Sequence, residues 1–169
     1  MTYLLDDILI IGEADSGKMG NNPLSVNLGD FINEIIEEIH SYSKELYEIS
    51  LIDTEELKST AIYIDIKLGR NIFINLLSNA VNTEKIIIEL SSEKDYIVIS
   101  IIDFGIGVPK SDFKNIFSPF SRGKNAQLIP GTGLGLSIVQ EAINLIGGKM
   151  ILNSTEGDGT SFIVKIPKI

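Results

Sequence analysis

Three asparagines recur every four residues in the stretch NIFINLLSNAVN, at Asn71, Asn75 and Asn79. This spacing predicts a helix that carries all three on one face. Its buried side would hold Ile72, Phe73, Leu76, Leu77 and Ala80. Asparagine is a mediocre helix former because its side chain competes with backbone hydrogen bonds. The three residues are therefore either filler on a solvated edge or ligands, and amide oxygens are hard, uncharged ligands suited to a Mg²⁺ ion that also binds phosphate.

A carboxylate closes a β-prone run in IIDFGIGVP, where Asp103 is followed by Gly105 and Gly107. One interpretation is an ordinary turn between a strand and a loop. The other is a carboxylate at the mouth of a pocket, with glycines that let a flat ring approach the backbone. An ionised carboxylate only accepts hydrogen bonds. It would favour the exocyclic amine of adenine over the carbonyl group of guanine.

A glycine-rich turn opens the last helical pattern in GTGLGLSIVQ. It is not a dinucleotide fingerprint, because the third glycine of that motif would fall at Leu136. It is not a P-loop either, because no Gly-Lys-Ser/Thr follows. What remains is a flexible turn whose backbone N–H groups lead into a helix N-terminus, where an anion can bind.

Two aromatic residues and two cations follow one another in NIFSPFSRGKN, which contains Phe117, Phe120, Arg122 and Lys124. The segment is either a surface loop anchored by its aromatic side chains or a mobile lid. As a lid, it would bring Arg122 to a γ-phosphate.

The periodicity of apolar residues predicts the elements that position these side chains. We expect an N-terminal helix within residues 1–14, with Leu4, Leu5, Ile8 and Ile11 on its apolar stripe. We also expect a polar linker at 15–23 and a helix capped by Asn27. Further helices are predicted at 66–81, 111–117 (with Ser111 as cap) and 134–146, and an irregular loop at 118–131. Strands are predicted at 46–52, 61–64, 84–91, 96–103, 149–154 and 160–166. This order predicts an α+β fold with helices on one face of a mostly antiparallel sheet.

Composition narrows the classes of function. The chain has 169 residues and a net charge of −9, which disfavours binding to nucleic acid or to an anionic membrane. It has no cysteine, which excludes disulfides and thiolate metal sites. No apolar run reaches the roughly 18 residues of a membrane span, and we expect a cytoplasmic setting, although the parent protein could be anchored in a membrane.

Taken together, the four motifs resemble the ATP-binding catalytic domain of sensor histidine kinases, in the GHKL ATPase superfamily. NLLSNA matches the asparagine box of that family, and DFGIG its first glycine box. IFSPFSRG matches the phenylalanine box and GTGLGLSIV the second glycine box. GDGTSFIVKIP is similar to the family's closing strand. By this resemblance, residues 1–22 are the end of a dimerisation helix with its linker, and residues 23–169 are the ATP-binding domain.

The resemblance implies a two-layer α/β sandwich of the Bergerat type, with three helices on a mixed sheet. It implies a histidine protein kinase that uses ATP and Mg²⁺, with a dimerisation domain and a response regulator receiver domain as partners. It places Asp103 on adenine, Asn79 on Mg²⁺ with Asn75 beside it, and Arg122 near the γ-phosphate. The remaining nucleotide contacts would come from Gly105, Gly107, Lys124, Gly131, Thr132, Gly133, Leu134, Gly135, Leu136 and Ser161.

Two positions depart from the family pattern. Asn82 and Thr83 stand where a lysine and an aromatic residue usually follow the asparagine box. A loss of one charge-assisted phosphate contact costs about 1.5–3 kcal/mol, which Arg122 or Lys124 could offset. These departures support one alternative, a degenerate scaffold that binds nucleotide weakly. A second alternative within the superfamily is an anti-sigma-factor serine kinase, which the phenylalanine box and the truncated N-terminal helix disfavour.

His40 is the only histidine of the chain. Family members carry the phosphoacceptor histidine upstream, on the dimerisation helix. We therefore expect His40 to be an ordinary surface residue and the isolated chain to bind nucleotide without phosphorylating itself.

Overall fold

The computed structural model describes residues 8–13, 16–17, 19–42, 48–80, 83, 85–126 and 131–169. From residue 19 onward, the described part of the chain forms seven strands and three α-helices, joined by loops and 3₁₀ turns. Residues 8–13 are also helical. The strands are β1 (Leu24–Asn27), β2 (Glu48–Asp53), β3 (Ala61–Ile64), β4 (Lys85–Ser92), β5 (Tyr96–Asp103), β6 (Lys149–Thr155) and β7 (Gly159–Pro167). The helices are α1 (Leu28–Tyr42), α2 (Ile66–Ala80) and α3 (Gly135–Leu145).

The main sheet has the strand order β2-β4-β5-β7-β6. β2 runs parallel to β4, and the other neighbours are antiparallel. Alternate residues point to the same face of a strand, so the register aligns Leu90, Ile99 and Val164 in one buried row across the sheet. β1 and β3 form a separate antiparallel pair.

The three helices bury their apolar faces against the side of the main sheet that carries Leu90, Ile99 and Val164, in a single hydrophobic core. The predicted buried face of the asparagine helix is confirmed, because Ile72, Phe73, Leu76, Leu77 and Ala80 are all buried. The expected two-layer, mixed and mostly antiparallel architecture is thereby confirmed.

Asn27 caps α1 as expected, since its Oδ1 accepts the backbone N–H of Asp30 at 3.0 Å. The predicted strands and long helices agree with the observed ones to within two or three residues at their ends. The predicted Leu4–Leu5 part of the N-terminal stripe lies outside the described residues.

The predicted helix at 111–117 is wrong. The chain forms a 3₁₀ turn at Lys110–Asp112, and only further turns follow as far as Phe117. Ser111 does not cap it, because its hydroxyl donates to the Asp112 carboxylate. The nine residues between Pro109 and Pro119 are too few to offset the cost of nucleating an α-helix.

The linker predicted at 15–23 contacts two helices where the structure describes it. Asn21 Nδ2 donates to the carbonyl of Leu145 at 3.0 Å, at the end of α3. The backbone N–H of Asn22 donates to the carboxylate of Asp65 at 2.9 Å, just before α2. Met19 is buried in the core. This segment therefore packs against the domain.

Candidate active site

A cavity of about 730 Å³ opens between α2, the N-terminus of α3 and the loops that follow β5. It brings together most of the residues that the sequence predicts for a nucleotide site. These are Asn75, Asn79, Asp103, Gly105, Gly107, Arg122, Gly131, Thr132, Gly133, Gly135 and Leu136.

Helix α2 places two of its three asparagines at this cavity. Asn75 Nδ2 donates to the carbonyl of Asn71 at 2.8 Å, which turns Asn75 Oδ1 toward Gly135 on α3. Asn79 is exposed and lines the cavity one turn further on. Asn71 does not line it, and Asn71 Nδ2 is buried without a partner among the described residues.

The Asn79 amide suits Mg²⁺ as a donor, because Mg²⁺ prefers oxygen ligands and keeps several waters and substrate phosphates in its shell. The described residues contain no group of three or more His, Cys, Asp or Glu that could hold a metal ion by themselves. Phosphate and water would have to supply the remaining ligands.

Asp103 is the last residue of β5 and also lines the cavity. Its Oδ1 accepts the backbone N–H of Gly105 at 2.9 Å. Burial raises the pKa of the Asp103 carboxyl, and hydrogen bonds from the backbone of Gly105 and Thr160 partly oppose that rise. The carboxyl is thus fixed in orientation and partly withdrawn from water.

The two glycines after Asp103 have a packing role that the sequence did not reveal. Gly107 has φ +65°, and a Cβ atom there would lie 2.0 Å from the carbonyl oxygen of Thr155. A Cβ atom on Gly105 would lie 2.7 Å from Thr83 Cγ2. The glycines let the loop lie against the β6–β7 hairpin and the end of α2.

The glycine-rich turn packs directly against the loop that contains Phe120 and Ser121. Gly133 has φ +74°, and a Cβ atom there would lie 2.9 Å from the backbone of Phe120. Leu134 is fully buried and does not line the cavity, and its N–H donates to Thr132 Oγ1 at 3.3 Å. The Leu134 side chain therefore belongs to the protein interior, and a contact from its backbone to phosphate stays a prediction.

Arg122 lines the cavity, and its Nη2 donates to the carbonyl of Ala126 at 2.7 Å. Lys124 does not line it; the backbone N–H of Lys124 donates to the Asp112 carboxylate instead. The loop predicted at 118–131 is irregular where it is described, with a 3₁₀ turn at Lys124–Ala126. Residues 127–130 lie outside the described residues.

Ser161 is also absent from the cavity, whereas Thr160 and Phe162 on the same strand line it. Side chains alternate along a strand, so Ser161 faces the other side of the sheet. Thr160 Oγ1 lies 3.1 Å from Ser154 Oγ, which accepts the N–H of Val108 at 2.8 Å. The sequence does not predict Thr160 as a site residue, because its place in the site depends on contacts with residues distant in sequence, Ser154 and through it Val108.

Thr83 stands at the position where the family pattern has an aromatic residue, and its side chain makes contacts of its own. Thr83 lines the cavity, and its hydroxyl lies 3.0 Å from the carbonyls of both Ala80 and Lys85. It therefore closes the end of α2 and offers no ring to a ligand. Asn82 lies outside the described residues.

Comparison with known families decides the identity of this fold. Residues 64–169 match the model of the histidine kinase-, DNA gyrase B-, and HSP90-like ATPases. The chain belongs to this family. The matched region contains every cavity residue named above, so this ATPase domain holds the whole of the candidate site.

Curated relatives of this ATPase domain are histidine kinases. The chain is 31% identical to the circadian input-output histidine kinase CikA of Synechococcus elongatus, over 98% of the chain and 23% of that relative. It is 28% identical to the sensor histidine kinase WalK of Bacillus subtilis, over 99% of the chain and 28% of that relative. The chain thus spans about a quarter of the length of these relatives.

Solved structures agree with this fold. The catalytic domain of histidine kinase ThkA superposes with a TM-score of 0.74 at 25% identity, covering 87% of this chain and 96% of that one. Full-length ShkA, solved with AMPPNP, gives a TM-score of 0.81 at 24% identity, covering 98% of this chain and 35% of that one. The ATPase domain therefore has the architecture of a histidine kinase catalytic domain.

Within the described residues, no helix has the length and apolar character needed to cross a membrane.

Proposed function

We propose that this chain binds ATP with Mg²⁺ in the cavity and is the part of a sensor histidine kinase that donates the γ-phosphoryl group. One observation carries the proposal: a carboxylate, Asp103, and an amide pair, Asn75 and Asn79, face the same cavity as a helix N-terminus. This set of groups suits the base, the metal and the phosphates of one nucleotide.

Asp103 would recognise the base. As an ionised group it accepts hydrogen bonds and donates none, so it accepts the exocyclic amine of adenine and repels the carbonyl oxygen of guanine. Its position supports this role, because the carboxyl lines the cavity and the backbone N–H of Gly105 holds its Oδ1 in a fixed orientation.

The opposite end of the cavity would bind the phosphates. Backbone N–H groups at the start of α3 attract anions, and Arg122 adds a cation at the same wall. Asn79 and Asn75 would hold Mg²⁺ against the phosphate oxygens. When bound, Mg²⁺ neutralises charge on the transferring phosphoryl group.

The acceptor would be a histidine outside this chain, on a dimerisation domain. Its imidazole nitrogen forms a bond to the γ-phosphorus while the bond to the β-phosphate oxygen breaks, and ADP leaves. A response regulator receiver domain would then take the phosphoryl group. His40 is exposed in the last turn of α1 and not on a dimerisation helix, where the family resemblance puts the acceptor. The isolated chain should therefore form no acid-labile phosphate with labelled ATP.

Thr83 favours one second candidate, a scaffold that binds nucleotide only weakly. A threonine stands where the family resemblance implies a ring, and its hydroxyl is engaged with backbone carbonyls. Such a domain would show no ATP binding at millimolar concentration.

Calorimetric titration with Mg·ATP and Mg·GTP tests the proposal. The wild-type chain should bind ATP more tightly than GTP by about tenfold or more, and Asp103→Asn should lose that preference, because an amide can also donate to a carbonyl. Asp95→Asn is the matched control, since Asp95 is exposed in the turn before β5, at the other end of that strand. Equal affinity for the two nucleotides in the wild type would contradict base recognition by Asp103.

A further inference from the structure

Asp112 is a buried acidic side chain that the proposed binding of ATP does not use directly. It ends the 3₁₀ turn Lys110–Asp112, only 6% of its surface is exposed, and it does not line the cavity. A buried carboxylate is costly unless hydrogen bonds compensate it. Its partners therefore identify what it holds in place.

The Asp112 carboxylate joins two segments that are twelve residues apart. Oδ2 accepts the backbone N–H of Lys124 at 2.8 Å, and Oδ1 accepts the hydroxyl of Ser111 at 2.9 Å. The hydrogen bond from Lys124, followed by that from Ser111, lowers the pKa of Asp112 below its ordinary range. Both bonds are therefore made to an ionised group, which strengthens them. Asp112 thus fixes the start of the turn Lys124–Ala126.

The turn Lys124–Ala126 in turn accepts a hydrogen bond from the Arg122 side chain. Arg122 Nη2 donates to the carbonyl of Ala126 at 2.7 Å, so the guanidinium folds back on the turn that Asp112 caps. Asn125, in the same turn, donates to the carbonyl of Gly107 at 3.0 Å and ties the turn to the glycine loop. These contacts lead from Asp112, which does not line the cavity, to Arg122, which does.

We propose that Asp112 is a positioning residue that holds Arg122 at the phosphate wall of the cavity by capping the turn Lys124–Ala126. The inference rests on the proposed function, in which Arg122 contacts the γ-phosphate. Arg122 lies beside the phosphate-binding turn, because a Cβ atom on Gly131 would be 3.9 Å from its Nη2. ADP lacks the γ-phosphate, so the loss of Asp112 should weaken ATP binding and leave ADP binding nearly unchanged.

The test measures the affinities of Mg·ATP and Mg·ADP for wild type, Asp112→Ala, Arg122→Ala and the double variant. We expect Arg122→Ala to lower the preference for ATP over ADP by about tenfold. Asp112→Ala should lower it by a similar factor, and the double variant should lower it no further, because both act through one guanidinium. Asp112→Asn retains an acceptor for the Lys124 N–H and should lose less than Asp112→Ala.

Asp53→Ala is the matched control for the loss of a turn cap. Asp53 accepts the backbone N–H groups of Leu57 and Lys58, both at 2.8 Å, and so caps the 3₁₀ turn Leu57–Ser59. It does not line the cavity. This variant should keep the wild-type preference for ATP.

Nuclear magnetic resonance of the unliganded chain gives a second measurement that needs no nucleotide. In Asp112→Ala, hydrogen exchange at the Lys124 amide should accelerate and the Arg122 side-chain Nε–H signal should shift. Amide signals of the central strands should stay unchanged, which shows that the variant is folded.

The outcomes separate the two proposals. Unchanged signals at Lys124 and Arg122, a wild-type ATP preference in Asp112→Ala, additive losses in the double variant, or an equal loss of ADP affinity would each overturn the role of Asp112. A wild-type chain that binds neither nucleotide would overturn the proposed function instead, and the resonance measurement would still decide whether Asp112 positions Arg122.

Discussion

At the scale of single residues, Asp103 is subject to two opposing influences. Burial in the cavity wall raises its pKa, and hydrogen bonds from the backbone of Gly105 and Thr160 lower it, with burial the larger. The ionised form that would accept adenine is therefore the form that folding disfavours. Binding residues commonly carry such a cost in stability.

Asp103→Asn should stabilise the free chain at neutral pH. A carboxyl whose pKa is raised by folding binds more protons in the folded state, so the unfolding free energy of the wild type falls as pH rises from about 4 through the folded pKa. Asparagine does not ionise and keeps an acceptor for Gly105. Thermal melts should give the variant the higher melting temperature at pH 7–8 and a smaller advantage near pH 4. A lower melting temperature for the variant at every pH would contradict this account.

At the scale of elements, the loop after β5 depends on a glycine that lies against the next hairpin. Gly107 and Gly147 have almost the same backbone conformation, with φ of +65° and +68°. A Cβ atom on Gly107 would lie 2.0 Å from the Thr155 carbonyl oxygen, whereas one on Gly147 meets nothing within 4 Å. An alanine at Gly147 would therefore meet only the cost of a left-handed conformation, whereas an alanine at Gly107 would meet that cost and a steric clash.

Gly147→Ala should cost about 1–2 kcal/mol of unfolding free energy, which is the conformational penalty alone. Gly107→Ala should cost more, about 3 kcal/mol or above, because the loop must also move away from β6. Chemical denaturation of both variants measures the difference. Equal losses would show that the loop accommodates the added methyl group without moving.

The sequence predicts this level of structure unevenly. Apolar runs rich in β-branched residues predict β4 and β5, and alternating apolar residues predict β7. The four-residue spacing of asparagines predicts which face of α2 meets the cavity. All three patterns are local. The 3₁₀ turn at Lys110–Asp112, the buried Asp112 and the part played by Thr160 depend on contacts with segments distant in sequence. These three features cannot be predicted from a periodic pattern within their own stretches of sequence.

At the scale of the whole molecule, the segment before β1 contacts both helices that flank the cavity. Asp65 has a double role there: Oδ1 accepts the N–H of Leu68 at 3.0 Å and caps α2, while Oδ2 accepts the N–H of Asn22. Asn21 reaches the last turn of α3 through the carbonyl of Leu145. The position of this segment is thus coupled to the helices that carry the candidate phosphate and metal contacts.

Substitutions of Asp65 separate its two contacts. Asp65→Asn keeps a capping oxygen for Leu68 but loses one acceptor, and should cost about 0.5–1.5 kcal/mol. Asp65→Ala removes both contacts and should cost about 2–3 kcal/mol. The measurement is urea denaturation of the whole chain. If both variants were as stable as the wild type, the segment before β1 would not be anchored through Asp65.

The central claim is that the cavity binds ATP together with Mg²⁺ through Asn79. Calorimetry with ATP, with and without Mg²⁺, on wild type and Asn79→Ala tests it most directly. We expect Mg²⁺ to strengthen ATP binding in the wild type by about tenfold or more, and this dependence to be mostly lost in Asn79→Ala. No binding at millimolar Mg·ATP, or the same Mg²⁺ dependence in both proteins, would contradict the account.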